Sequence, residues 1–347
     1  MKSPKLHLKK LDYVRGLAAI YVILHHFLPQ LKFIPSFISK GIFAFGQEAV
    51  MLFFLLSGFV IYISVHNKPQ ITFQDYFIKR FRRIYFPFLV AIILSIVVYG
   101  FNGNLAKYFS LKDLLGNLFM LQDLSQLKPG IVINPFLGNH PFWSLAYEWW
   151  FYMLFFPIYK YLFKIPYRIY YIAFFSLLSY AIYMAIPNQL SLFLAYFITW
   201  WSGVEAGEIY LRTGRFTLRT VKPILISLFL LSLLAFIPCL LFDNKGFGYY
   251  PFLTFRHFFS AFLYVLIGLI WYRHKLVYFE NIFSVFYPLA GISYGLYIFH
   301  YPLLLRWNLE PYINNIWLEY LLKFSLIFLI SYIVEIKLQP LVNKIIR

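Results

Sequence analysis

The chain has 347 residues, of which 61% are hydrophobic, 23% aromatic and 13% charged, whereas a soluble domain is about 45–50% apolar and about a quarter charged. So little polar surface cannot cover a water-facing particle of this size, and 42 Phe, 30 Tyr and 8 Trp exclude a disordered, collagen-like or coiled-coil chain. A single Cys excludes a disulfide framework and any zinc site built on several thiolates. What remains is a polytopic membrane protein.

Lys and Arg number 31 against 13 Asp and Glu, a net charge of +18. In a soluble chain this would suggest nucleic acid. Here the basic residues gather in short segments between apolar runs, as in cytoplasmic loops, and no Gly-rich phosphate loop or nucleic-acid-binding pattern accompanies them. Spans of about 20 apolar residues are expected at 12–31, 44–65, 84–103, 141–163, 169–187, 191–210, 223–242, 254–272, 283–305 and 316–336. With the N-terminus inside, clusters such as Lys2, Lys5, Lys9 and Lys10, then Lys79, Arg80, Arg82 and Arg83, then Arg212, Arg215 and Arg219, and finally Lys337, Lys344 and Arg347 fall inside. The outside segments hold Lys32, Lys40, Lys107, Lys112, Lys128 and Lys245. The expectation is an all-α integral membrane fold: ten helices in one bundle, both termini cytoplasmic, residues 1–347 a single domain with no appended soluble domain. The first apolar run lacks a small-residue cleavage site and reads as a retained helix. The longest connection, 104–140, lies outside, and Leu111–Leu121 has the spacing of a helix on the membrane surface.

Ionisable groups inside a bilayer cost about 2.5–3.5 kcal/mol each on insertion scales, so they mark functional sites. In DYVRGLAAIYVILHH, Arg15 and His26 are eleven residues apart, about three turns and about 16 Å along a helix, within about 20° of one face. They are expected to look into one watery cavity; His25 lies about 80° away. The fourth span opens PFWSLAYEWWFY, where Ser144, Glu148 and Tyr152 recur every four residues on one face. A structural role for Glu148 would be to neutralise Arg15 or Arg256; Trp143, Trp149 and Trp150 read as interface-belt residues. In YFIKRFRRIYFP, Arg80 and Arg83 stand three apart, spaced to clasp one phosphate group. The second span carries Glu48, with Ser57 and Gly58 permitting close helix approach; Gly203 and Gly207 do the same in the sixth, with Glu205 and Glu208 near the cytoplasmic face. His300 ends GISYGLYIFH before Pro302.

The stretches LDYVRGLAAIYVILHH, LFFLLSGFVI, RFRRIYFPF, FWSLAYEWWFY and SYGLYIFHYPLL, in this order over residues 11–304, resemble the acyltransferase-3 family of bacterial membrane acyltransferases. The resemblance implies transfer of an acyl group, often acetyl, from cytoplasmic acyl-coenzyme A to surface or lipid-linked glycans, in the bacterial inner membrane. It implies His26 as catalytic histidine, Arg15 as its partner, Arg80 and Arg83 as the cytoplasmic arginine pair, and Glu148 as the acid after WSL. His25, Glu48, Ser144, Tyr152 and His300 are further substrate-site candidates. The chain departs from the family where many members carry an acid at the position of Met51. No metal is expected, since a thioester is already activated and no convergent ligand set is legible. The competing readings are a transporter or flippase for lipid-linked saccharides, whose intramembrane charges would line a path, and then a polysaccharide polymerase.

Overall fold

The computed structural model describes residues 5–68, 70–241 and 246–346, with side chains from residue 9 onward. Lys2, Lys245 and Arg347, and the Lys5 side chain, all counted above as topological charges, lie outside the described residues. The described chain is helical: α1 Lys5–Phe27, α2 Gly46–His66, α3 Phe73–Phe101, the short α4 Leu105–Tyr108 and α5 Leu111–Leu118, α6 Phe142–Pro157, α7 Arg168–Ala185, α8 Gln189–Thr213, α9 Leu218–Leu241, α10 Phe252–Arg273, α11 Phe279–Phe283, α12 Ser293–His300, α13 Ile316–Tyr332 and α14 Gln339–Ile345. Among the described residues seven segments are long and apolar enough to cross a membrane, which makes this a multi-pass membrane protein. They coincide with seven of the ten expected spans; 141–163, 191–210 and 316–336 lie along α6, α8 and α13 but are not among the seven.

Local chemistry sets the boundaries. Thr72 caps α3 by accepting the Asp75 N–H at 3.1 Å, and Asn188 caps α8 through the Ser191 N–H at 2.9 Å. Gly214, at φ +65°, ends α8 in the left-handed region. The first difference from expectation is at α3. The helix begins at Phe73 under the Thr72 cap, eleven residues before the expected span at 84–103, so the arginine-rich stretch lies within it.

The bundle is apolar on its outside as well as in its core. Trp200, Trp201, Tyr147 and Tyr196 are fully buried, whereas Ile93, Val97, Phe174, Phe175 and Leu233 point outward, as lipid-facing residues do. Helices α2 and α8 pack backbone to backbone. A Cβ on Gly58 would sit 2.1 Å from the Trp200 carbonyl oxygen, and one on Gly203 2.0 Å from that of Leu55, so only glycine permits this approach. We call the end where α1 begins the basic end, since Arg82, Arg212 and Arg273 lie there, and the opposite one the loop end, after the 104–140 connection.

Candidate active site

Toward the basic end, α1, α2, α3, α6 and α12 enclose a cavity of about 210 Å³. Arg15, Arg80 and Arg83 reach it from two helices, and Ser144, Glu148 and Tyr152 line it along one face of α6, as their spacing predicted. Ser57 donates to Glu148 Oε1 at 3.0 Å, and Tyr152 OH donates to the same oxygen. Trp200 Nε1 holds Ser57 in place at 3.2 Å. Glu148 Oε2 has no hydrogen-bond partner among the described residues, so the carboxylate is oriented with one oxygen to spare. Arg80 lies 5.8 Å from the ring centres of both Tyr76 and Tyr152 and pairs with no described carboxylate. Arg83 is tied to buried Glu335 at 2.7 Å, and Arg15 to Asp12 at 3.1 Å. Three guanidinium groups around one carboxylate suit an anionic, phosphate-bearing ligand.

His26 is not in this cavity, contrary to the expected shared stripe. Tyr297, hydrogen-bonded to Ser144 at 2.9 Å, and Phe53, 6.0 Å from the Tyr297 ring, close the cavity's far end. Beyond that wall the His300 ring lies 6.4 Å from Tyr297 and stacks on His26 at 5.4 Å. His300 Nδ1 sits 3.1 Å from the Leu296 carbonyl, which it can reach only as a donor, so Nε2 keeps its lone pair; that nitrogen is buried without a partner. His25 packs edge-on to His26 at 4.7 Å, and its Nδ1 donates to the Phe43 carbonyl at 2.5 Å. A π-helical turn, Tyr301–Arg306, follows His300 and sets Tyr301 against His26 at 5.3 Å and His140 at 4.8 Å. Such turns re-aim side chains and recur at functional sites.

On the other side of these rings, at the loop end, a second cavity of about 490 Å³ contains His140, Arg306, Tyr99 and several amides. One wall is the 119–135 segment, which contributes Leu124, Gln126, Leu127, Asn134 and Pro135 and is pinned by a buried cluster. Lys128 lies 2.7 Å from Asp123 Oδ1 and 4.1 Å from the Trp143 ring centre, and Tyr147 OH donates to Asp123 Oδ2 at 2.6 Å.

Several expectations change. Glu148 neutralises neither Arg15 nor Arg256, for Arg256 forms a buried ion pair with Glu48. Glu48 is therefore a structural acid, taken up by a cation on α10, and it lines neither cavity. Trp143 and Trp149 are buried at 3% and 6% exposure and so are core residues, Trp143 under Lys128 and Trp149 against Phe77, Phe81 and Tyr85 of α3; Trp150 is partly exposed and donates to the Met120 carbonyl at 2.9 Å. Lys128, counted as an outside charge, is fully buried against Asp123. Glu205 and Glu208 share Arg168, a pairing the sequence did not suggest. His140, Tyr297, Tyr301 and Arg306 were missed as site residues. His140 carried a signal, since it sits three residues before Trp143, where WSL begins.

Fold and cavities together define a multi-helix membrane protein with polar sites inside the bundle. The model of the acyltransferase domain family matches residues 8–336. The chain belongs to that family. Among characterised relatives it is similar to the acyltransferase MdmB of Streptomyces mycarofaciens, 31% identical over 168 residues, a match covering 47% of this chain and 42% of the relative. The chain thus aligns with less than half the length of that relative. No solved structure matches.

Proposed function

We propose that this protein moves an acyl group, most simply acetyl, from cytoplasmic acyl-coenzyme A to a hydroxyl of a cell-surface or lipid-linked saccharide, with His26 as the base. In this reading ten helices cross a bacterial plasma membrane and the basic end, with both termini, faces the cytoplasm. The observation that carries it is the histidine cluster lying between two cavities, one of them ringed by Arg15, Arg80 and Arg83.

The donor's phosphates rest on the arginines at the basic end, and its acyl-bearing arm extends toward Tyr297. Rotation of Tyr297, which breaks one hydrogen bond to Ser144, opens the wall to His26. Neutral His26 then takes the proton of the acceptor hydroxyl as its oxygen attacks the thioester carbon. The C–S bond breaks, and the thiolate of coenzyme A leaves with that proton, so His26 is regenerated neutral. Positioned bases of this kind contribute about 10²–10⁴-fold. Arg15 and Glu148 complete the donor side, Glu148 through its free oxygen.

The test uses purified protein, acetyl-coenzyme A and a saccharide panel, reading thiol release together with the acceptor's gain in mass. Arg80→Gln is expected to raise the KM for acetyl-coenzyme A about tenfold or more, the value of a lost charge-assisted hydrogen bond. The same variant should leave the KM for acetyl-pantetheine, which lacks the nucleotide phosphates, unchanged. Saccharide crossing the bilayer with no covalent change would instead identify a transporter.

A further inference from the structure

The loop-end cavity is unusual in what its walls leave unused. Tyr99 OH and the side-chain polar atoms of Asn104, Tyr108, Gln126 and His140 make no hydrogen bond to any described residue, yet all converge on the same space. Among the described residues the Arg306 guanidinium makes one long hydrogen bond, its Nη2 donating to Tyr301 OH at 3.4 Å, lies 5.3 Å from the centre of that same ring, and has no carboxylate within ion-pair range. The one acid on the wall, Asp113, is engaged in the loop's own framework, its Oδ1 accepting the Asn134 N–H at 3.1 Å. Room for the guanidinium comes from Gly138. This residue sits at φ +64°, and a Cβ there would lie 3.3 Å from Arg306 Nη2. Burial first, and then the neighbouring Arg306, push the His140 imidazole down to about 4. At neutral pH it therefore offers one donor and one acceptor and no second positive charge.

Hydroxyl, amide and imidazole groups around aromatic edges match a polyhydroxylated ring, which presents many hydrogen-bonding groups and an apolar face. An unneutralised guanidinium matches a carboxylate or phosphate. We propose that this cavity is the acceptor site, and that the acceptor is a saccharide bearing an anionic group, carboxylate or phosphate, held by Arg306. This rests on the acyl-transfer reading, since it places the acceptor one tyrosine ring from His26: Tyr301 lies 4.8 Å from His140 on one side and 5.3 Å from His26 on the other.

The experiment measures binding of glucose, glucuronate and glucose 1-phosphate to the full chain in lipid nanodiscs, by calorimetry, with no acyl donor present. At least one anionic sugar is expected to bind tenfold or more tighter than glucose, and the preferred one separates carboxylate from phosphate. Arg306→Gln should abolish that preference, Arg306→Lys should retain part of it, and Arg80→Gln should leave it intact. Tyr99→Phe and Asn104→Ala, which keep the charge, should weaken all three sugars alike. Equal affinity for the three sugars, no binding of any, or a preference that survives Arg306→Gln overturns the proposal. Acetyl-coenzyme A binding, measured in the same preparation, separates the two readings. Its absence beside an intact sugar preference removes acyl transfer and leaves the anion site standing.

Discussion

The two cavities are built on opposite plans. At the basic end nearly every charged group is aimed before a ligand arrives: Arg83 by Glu335, Arg15 by Asp12, and Glu148 by Ser57 and Tyr152. At the loop end the side chains of Tyr99, Asn104, Tyr108, Gln126 and His140 have no hydrogen-bond partner among the described residues, and one wall is a long connection clamped at Lys128. A site whose groups are held in advance loses little entropy on binding and suits one invariant ligand; a loosely engaged one can adapt to varied partners. The contrast fits a common donor on one side and a family-specific acceptor on the other.

The comparison breaks most sharply at the ring between the two sites. His26→Ala is expected to lower kcat about 10²–10⁴-fold while both acetyl-coenzyme A and sugar still bind, a combination that steady-state rates and direct binding together detect. Unchanged turnover would remove the central role given to this imidazole. The next effect isolates the loop end. Lys128→Met strands buried Asp123 without its cation, at a cost of about 3–5 kcal/mol, and should depress the thermal midpoint in detergent. Sugar binding should fall, whereas affinity for acetyl-coenzyme A in the folded fraction should hold. Equal loss at both sites would mean that the cavities are not independent.

The smallest effect concerns protonation. His140 titrates near 4 in the folded chain against about 6.5 when unfolded, so its contribution to stability is complete above pH 6.5 and is lost as pH falls through 4. Wild-type protein should therefore lose more thermal stability between pH 7 and pH 4.5 than His140→Gln. Parallel pH profiles would show that the imidazole does not sense its burial.

How much of this was legible follows from the range of the interactions. Helix positions came from runs of apolar residues, and the α6 face of Ser144, Glu148 and Tyr152 from a spacing of four, both local properties. Gly58 and Gly203 announced close packing for the same reason. Helical phase also put Arg15 and His26 on one stripe, but phase says nothing about what stands across from each. Tyr297 comes from a helix far along the chain and divides the stripe between two compartments. The Glu48–Arg256 and Arg83–Glu335 pairs join helices distant in sequence. Lys128 looked like a loop charge because nothing nearby in sequence showed the aromatic ring cage that Trp143, Tyr147 and Tyr196 build around it.

In the donor-site reading proposed above, the ion pair between Arg83 and Glu335 gives the chain's last helices a part in ligand traffic. Gln339 Nε2 donates to the Arg82 carbonyl at 3.1 Å, and Arg82 Nη1 to the Asn343 carbonyl at 2.7 Å, so the tail is latched to the same stretch of α3 at neighbouring points. A phosphate that approaches Arg83 meets a cation already engaged by a buried acid, and must share it or displace that acid. Arg80, with no such rival, is left to make the first capture, and tail and incoming anion become competitors for a single guanidinium.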